Sequence, residues 1–223
     1  MSMRRVYDVV TFDCYGTLID WKTGINAAFA SAAARDGRAL DRMQVLTAYA
    51  EIEPVVEAEA YRSYRDVLTE TARRVAERLG WPLSRADAAF LPESLPVWPS
   101  FPDTNPALER LASAGYRLGI LSNVDDDLLA ATRSHFTVTF DTIVTAQQVG
   151  SYKPAPGHFI TARQRLGEIR WLHAAQSYFH DVMPARALGI PVAWINRHHE
   201  AASDGGQADR EFGNLTDLAD WLC

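Results

Sequence analysis

The segment Tyr7–Leu18 constrains the fold of this chain more than any other part of the sequence. It contains a short apolar run that indicates a buried strand, and the run ends in Asp13. A Gly16-Thr17 turn follows at once. Ligands of open α/β sheets bind just beyond the carboxyl ends of the strands. The segment therefore predicts a first strand that presents a carboxylate at a ligand-binding edge, where it can act as a nucleophile.

The residues after this strand change in character and predict an all-helical insertion. Up to Leu91 the chain is rich in Ala, Glu, Arg and Leu, and three helical patterns recur. The three patterns cover Ile25–Arg35, Asp41–Ala58 and Tyr61–Leu79. A run of prolines between 92 and 106 then marks a boundary. We predict a helical cap domain over residues 19–96 and a discontinuous core formed by residues 1–18 and 97–223.

Strands and helices alternate beyond the prolines, and this alternation predicts the class of fold. The expected strands are Tyr116–Leu121, Thr142–Val144, Ala174–Phe179 and Val192–Ile195. Helical patterns separate them, and strands connected by helices pair in parallel. We therefore expect an α/β fold with a doubly wound, Rossmann-like parallel sheet, and with the helical domain inserted after its first strand.

Polar side chains stand at or just after the ends of these predicted strands. They are Asp13 after the first strand, Ser122 and Asn123 after the second, Lys153 in the loop after the third, and His180 and Asp181 after the fourth. Since the carboxyl ends of parallel strands share one edge of a sheet, we expect these side chains to converge. Each has a plain structural alternative, such as capping of a helix by Asp181. Their joint occurrence at successive strand ends favours a hydrolytic site.

The composition limits the partners of the chain. A net charge of -6 argues against nucleic acid or an anionic membrane surface as the main partner. The two cysteines, Cys14 and Cys223, match neither a disulfide framework nor a metal site. The first residues lack the apolar stretch of a signal peptide, and no segment reaches transmembrane length. We therefore expect a cytosolic protein.

At its polar strand ends the chain resembles the haloacid dehalogenase superfamily of hydrolases. The segments that carry the resemblance are Phe12–Leu18, Leu121–Asn123, Tyr152–Pro154, His180–Asp181 with Ala185–Pro191, and Trp194–Arg197. Together they extend over essentially the whole chain. The resemblance implies that the helical insertion is the cap domain of the superfamily, which closes over the active site.

Tyr15 narrows the reaction that the resemblance implies. Phosphatases of the superfamily carry an acid two residues after the nucleophile, and that acid protonates the leaving alkoxide. A tyrosine, with an ordinary pKa near 10, is a poor substitute, whereas a halide leaves without a proton. The chain is therefore most similar to the 2-haloacid dehalogenases. The resemblance implies cleavage of the carbon–halogen bond of a short 2-haloacid, which yields a 2-hydroxy acid and halide.

The same resemblance implies a role for each site residue. Asp13 attacks the carbon that bears the halogen and forms an aspartyl ester, which is then hydrolysed by water that Asp181 activates. Lys153 keeps Asp13 ionised, and Thr17 orients it. The residues implied to bind the substrate and the halide are Cys14, Tyr15, Ser122, Asn123 and His180. No cofactor and no metal is implied, the substrate is a small molecule, and homodimers are common among similar proteins.

Alternatives remain open at this point. Met43–Glu51 contains no arginine, although the best-known dehalogenases have one in this region to receive the halide. A hydrolase of the same superfamily that acts on a phosphate ester, with Mg²⁺, or on a phosphonate is one alternative. The phosphonate reaction needs a lysine in the cap, and the single cap lysine, Lys22, lies at its edge. A non-catalytic binding protein is the other alternative, and the two aspartates together with the lysine argue against it.

Overall fold

The computed structural model describes residues 5–202 and 205–223. They form two compact units. The α/β unit comprises the described parts of Met1–Ile19, Ser100–Asn123 and His135–Cys223, and the helical unit comprises Asp20–Pro99 and Val124–Ser134. Unlike the predicted domain ranges, this division places residues 97–99 and 124–134 in the helical unit and residue 19 in the α/β unit. None of the described helices is both long and apolar enough to cross a membrane.

The α/β unit is built on a six-stranded sheet. Its strands are β1 Val9–Phe12, β2 Arg117–Ser122, β3 Thr142–Thr145, β4 Trp171–Ala175, β5 Val192–Ile195 and β6 Arg210–Phe212. The order is β3-β2-β1-β4-β5-β6 and every neighbouring pair is parallel, which confirms the predicted doubly wound sheet. The order reverses between β1 and β4, and open α/β sheets bind their ligands at such a switch point.

Ten α-helices complete the two units within the described residues. The helical unit contains α1 Trp21–Arg35, α2 Arg42–Glu57, α3 Tyr64–Arg78, α4 Phe90–Ser94 and α6 Asp126–Thr132; the α/β unit contains α5 Thr104–Ser113, α7 Ala146–Val149, α8 Gly157–Leu166, α9 Met183–Ala187 and α10 Leu215–Leu222. In the α/β unit, Leu121 of β2 and Val144 of β3 share a buried apolar core with Phe159 of α8. This packing holds the sheet and its connecting helices in one rigid framework.

Local sequence signals explain the first three helices. Each follows a residue whose side chain accepts a hydrogen bond from a backbone N–H of the first turn: Asp20, Asp41 and Ser63. Within α1, Gly24 lets the ring of Trp98 approach closely, since a Cβ atom at this position would lie 2.2 Å from Trp98 Cγ. The helical unit therefore depends on this glycine for the close packing of α1.

The predicted strand Ala174–Phe179 is wrong. The strand is β4, and the chain then turns at Ser177 into a π-helical turn, Tyr178–Val182, that leads into α9. Ser177 Oγ accepts the backbone N–H of His180, and the buried Tyr178 ring packs edge-on to Trp194 with centroids 4.9 Å apart. Tyr178, an aromatic residue that favours strands, thus packs a helical turn against β5. Asp181 consequently lies in a helical turn rather than at a strand end.

Candidate active site

The backbone of β1 holds Asp13 at the switch point of the sheet. Its N–H donates to the carbonyl of Ala174 on β4 at 3.1 Å, which extends the ladder by one residue. One carboxylate oxygen, Oδ1, accepts from Lys153 Nζ at 2.9 Å, and the other, Oδ2, accepts from Thr17 Oγ1 at 3.2 Å. Asp13 is 6% exposed. Both its backbone and its carboxylate are therefore fixed at the edge where a ligand is expected.

Thr17 links the turn after β1 to the segment after β4. Its hydroxyl donates to Asp13 and accepts the N–H of Gln176 at 2.9 Å. The turn itself needs Gly16, whose φ of 103° lies in a region that side chains with a Cβ rarely adopt. The Gly-Thr pair thus brings the threonine hydroxyl onto the carboxylate.

Lys153 joins the two aspartates. Its ammonium donates to Asp13 Oδ1 at 2.9 Å, to Asp181 Oδ1 at 2.6 Å and to the carbonyl of Leu121 at 2.9 Å. These three bonds use all three of its hydrogens. Burial alone would lower the pKa of Lys153, but the charges of the two carboxylates outweigh burial and raise it. The lysine is therefore a cation shared by two buried carboxylates.

The two carboxylates differ in their electrostatics. Burial raises the pKa of Asp13, Lys153 opposes this rise, and the charge of Asp181 adds to it. Burial also acts to raise the pKa of Asp181, but Lys153 and the hydrogen bond from His173 hold that pKa at about 2. The pair titrates as a coupled unit. Asp181 is the member that keeps its charge at lower pH.

Asn123 positions the backbone of Lys153. Its Oδ1 accepts the Lys153 N–H at 2.7 Å and its Nδ2 donates to the Lys153 carbonyl at 3.1 Å. Its neighbour Ser122 is fully buried at the end of β2, and its Oγ has no hydrogen-bond partner among the described residues. The substrate-binding roles of both residues remain predictions.

Three other predicted residues lie close to this centre in sequence. Cys14 is a buried free cysteine, and burial raises its pKa well above the ordinary value. Tyr15 is half-buried and pairs with Ile19 in an isolated parallel bridge. His180 lies in the π-helical turn with Nδ1 3.0 Å from Ser177 Oγ, and burial lowers its pKa. Their roles in binding also remain predictions.

The sequence interpretation did not find His173, which lies in β4. The ring is fully buried, with Nε2 3.0 Å from Asp181 Oδ1. The predicted strand begins three residues too late and ends four residues too late, so it does not include His173. A histidine within an otherwise apolar buried strand beside β1 was the available signal. His158 of α8 was missed as well. It is buried, its Nε2 donates to the carbonyl of Ser122 at 3.0 Å, and burial lowers its pKa to about 3.

Among residues 5–202 and 205–223, no group of three or more His, Cys, Asp or Glu side chains is placed to bind one metal ion. The cation between the two aspartates in this structure is the Lys153 ammonium. The expected lack of a metal and a cofactor stays a prediction.

A parallel sheet with a buried aspartate after its first strand, and a lysine shared with a second aspartate, is the arrangement expected of an α/β hydrolase. The family model of haloacid dehalogenase-like hydrolases matches residues 7–176. The chain belongs to this family, which confirms the resemblance in the sequence.

Individual relatives match over nearly the whole chain. An (S)-2-haloacid dehalogenase from Pseudomonas putida is 28% identical and covers 96% of each chain. An (S)-2-haloacid dehalogenase from Burkholderia cepacia is 30% identical and covers 92% of this chain and 87% of its own. The solved L-2-haloacid dehalogenase of Xanthobacter autotrophicus with chloropropionic acid covalently bound has a TM-score of 0.83, 20% identity, and coverage of 97% and 98%. This last likeness shows that the fold is shared.

Proposed function

We propose that this protein hydrolyses the carbon–halogen bond of a short 2-haloacid through an ester on Asp13, and releases halide and a 2-hydroxy acid. The observation that carries the proposal is the buried ion cluster of Asp13, Lys153 and Asp181. The residue two positions after Asp13 in the sequence is Tyr15 rather than a second acid. The names of the Pseudomonas and Burkholderia relatives support the proposal. So does the covalently bound chloropropionic acid in the Xanthobacter dehalogenase.

In the first step a carboxylate oxygen of Asp13 forms a bond to the carbon that bears the halogen. The carbon–halogen bond breaks, and the halide leaves with the electron pair. No proton is needed at this stage, which is consistent with tyrosine at position 15. Lys153 favours the ionised form of Asp13 before attack, and Thr17 orients it. The product of this step is an ester between Asp13 and the substrate carbon.

In the second step water attacks the carboxyl carbon of that ester, and Asp181 accepts one of its protons. The tetrahedral intermediate expels the substrate oxygen, which takes the proton from Asp181 and leaves as a 2-hydroxy acid. Asp13 then releases the remaining proton to solvent. It regains a carboxylate that contains one oxygen atom from water. An alkoxide is a poor leaving group, so transfer of the proton from Asp181 to the departing oxygen assists this step.

The remaining predicted residues have binding roles in this proposal. The buried Ser122 hydroxyl and the Asn123 amide serve the substrate carboxylate or halide, as do Cys14, Tyr15 and His180. The helical unit serves as the cap. We also predict a cytosolic location, a small-molecule substrate and a homodimer. Light scattering on the purified protein measures the oligomeric state.

The test compares wild-type protein with Asp13→Asn on both enantiomers of 2-chloropropionate, on chloroacetate and on fluoroacetate. We expect halide release from wild type and a loss of at least about 10³-fold in the variant, because the nucleophile is gone. Asp141→Asn is the matched control, since Asp141 is exposed and its contact with Arg117 is long, at 3.8 Å. The control keeps wild-type activity.

A single turnover in ¹⁸O-labelled water adds a readout of the covalent step. The proposal expects one ¹⁸O atom in the Asp13 peptide and none in the hydroxy acid from that first turnover. Label that enters the product directly contradicts the ester. Phosphate release from p-nitrophenyl phosphate that depends on Mg²⁺, without halide release from any haloacid, supports the phosphatase alternative instead.

A further inference from the structure

A buried chain of hydrogen bonds ends on Asp181. Thr11 of β1 and His173 of β4 are direct register partners in the parallel sheet. His173 Nδ1 lies 2.9 Å from Thr11 Oγ1, and His173 Nε2 lies 3.0 Å from Asp181 Oδ1. Trp171 Nε1 lies 2.6 Å from the same Thr11 oxygen. Thr11 and His173 are both fully buried, so these groups must satisfy one another.

One arrangement of hydrogens gives a partner to every group in this chain of hydrogen bonds. The indole N–H of Trp171 can only donate, so Thr11 Oγ1 accepts it. The Thr11 hydroxyl then has one acceptor among its contacts in the described residues, and that acceptor is His173 Nδ1. His173 Nδ1 is therefore without a proton. Its Nε2 carries the ring proton and donates it to Asp181 Oδ1.

This arrangement makes the two oxygens of Asp181 different. Oδ1 accepts from both Lys153 Nζ and His173 Nε2. Oδ2 is buried and has no hydrogen-bond partner within the described part of the chain. Two donors that approach Oδ1 from different elements oppose rotation of the carboxylate about its terminal bond. Oδ2 is thereby presented as the oxygen that can still accept a proton.

We propose that His173 is a positioning residue for hydrolysis of the Asp13 ester, held as the neutral Nε2–H tautomer by Thr11 and Trp171, and that it directs Asp181 Oδ2 to the attacking water. The inference rests on the proposed function for the step that it serves. The tautomer itself follows from the hydrogen-bond geometry. His173 touches neither substrate nor the reacting atoms in this proposal, because its Nδ1 and Nε2 are both used within the protein.

The first experiment reads the tautomer without any substrate. Nitrogen-15 NMR of histidine-labelled protein distinguishes the neutral Nε2–H ring from the Nδ1–H ring and from the imidazolium. The signal of His173 is assigned as the one that disappears in His173→Gln. A neutral Nε2–H ring at neutral pH supports the inference. An Nδ1–H ring or an imidazolium overturns it, whatever the enzyme does with haloacids.

The second experiment separates the two chemical steps. Rapid quenching measures halide release in the first turnover, and mass spectrometry of the Asp13 peptide measures the ester. In His173→Leu we expect ester formation within about threefold of wild type and ester hydrolysis slower by about 10- to 100-fold, as for other residues that orient a reacting group. The ester therefore accumulates. His173→Gln, whose side-chain amide can still donate an N–H to Asp181, recovers part of the hydrolysis rate.

Thr11 provides a conservative pair for the case in which His173→Leu does not fold. Thr11→Ser keeps the hydroxyl and is expected to match wild type, whereas Thr11→Val has the same shape without the hydroxyl and is expected to accumulate ester. Two outcomes overturn this inference but not the proposed function. One is equal slowing of ester formation and ester hydrolysis. The other is ester hydrolysis within threefold of wild type in all three variants, His173→Leu, His173→Gln and Thr11→Val. Absence of halide release from wild type contradicts the proposed function, and the NMR result then still decides the tautomer.

Discussion

At the scale of single residues, the site is organised by the sharing of one cation. The chain has two lysines, Lys22 and Lys153. Lys153 is 1% exposed and lies between two buried carboxylates. A buried charge is tolerated when it is paired and fully hydrogen-bonded, and all three ammonium hydrogens of Lys153 have acceptors. Removal of this side chain should therefore affect stability as well as activity.

Lys153→Met should lower the free energy of unfolding by about 3–5 kcal/mol at pH 7, because two buried carboxylates lose their shared cation. The loss should become smaller as the pH is lowered, since protonation removes the uncompensated charges. Urea unfolding at several pH values measures this. Lys22→Met is the control, and it should cost about 1 kcal/mol or less, because half-buried Lys22 has its ammonium over the Trp21 ring rather than between buried carboxylates. Equal losses in the two variants would contradict this account.

At the scale of elements, α2 and α3 pair through a polar contact below a set of surface ion pairs. Tyr64 of α3 donates to Glu53 Oε1 of α2 at 3.2 Å. Burial raises the pKa of Glu53 to about 7, against an ordinary 4.5. Further out, Arg78 pairs with Glu51, and both side chains are largely exposed. Glu53 thus makes the pairing of these helices sensitive to pH.

Because the folded-state pKa of Glu53 lies above its unfolded value, the folded state binds this proton more tightly. Its stabilising contribution is complete below about pH 4.5 and is lost as the pH rises through about 7. Glu53→Gln should therefore stabilise the protein by about 1–3 kcal/mol at pH 8.5 and by much less at pH 5.5. Thermal unfolding at the two pH values tests this. Glu51→Gln, on the same helix, should show no such pH-dependent gain.

Local sequence patterns explain why the prediction misplaces β4 and misses β6. β4 reads Trp-Leu-His-Ala-Ala, and its histidine and alanines give a weak strand pattern, whereas the aromatics Tyr178 and Phe179 give a strong one. Ser177 caps a helical turn at that point instead. β6 has three residues at the edge of the sheet, two of them exposed, so it carries no apolar pattern. By contrast, β5 lies at the predicted Val192–Ile195 because it is a buried apolar run.

At the scale of the whole molecule, one arginine joins distant parts of the α/β unit. Arg197, two residues after β5, donates to Asp103 and to the carbonyl of Thr17, and its guanidinium lies 3.9 Å from the ring centre of Phe101. Asp103 also accepts the N–H of Leu215 at the start of α10. The pair is largely buried, with 9% and 15% of the side chains exposed. Four segments of the chain therefore meet at one ion pair.

Arg197→Met should lower the free energy of unfolding by about 3–5 kcal/mol, since it leaves a largely buried carboxylate without its cation. The reference is Arg170→Met, which removes a solvent-accessible pair with Asp8 and should lower the free energy of unfolding much less. Equilibrium unfolding of both variants gives the comparison. A smaller loss in Arg197→Met than in Arg170→Met would show that this cluster does not hold the unit together.

Local sequence patterns predict the class of the fold and the chemical types of side chain at the site. Apolar runs between helical patterns require a parallel sheet, and the carboxyl ends of its strands must share an edge, so Asp13 and Lys153 were expected together. Tyr15 was visible as the missing second acid. These features are local, and each is legible within a few consecutive residues.

The distribution of hydrogens and charges in the site depends on the tertiary structure. That structure placed Asp181 in a helical turn, assigned all three hydrogens of Lys153, and brought His173 against Asp181 with Thr11 behind it. The physical reason is that these bonds join residues far apart in sequence, through strand register and the packing of a turn. Which oxygen of Asp181 stays available depends on that register, and no local pattern encodes it.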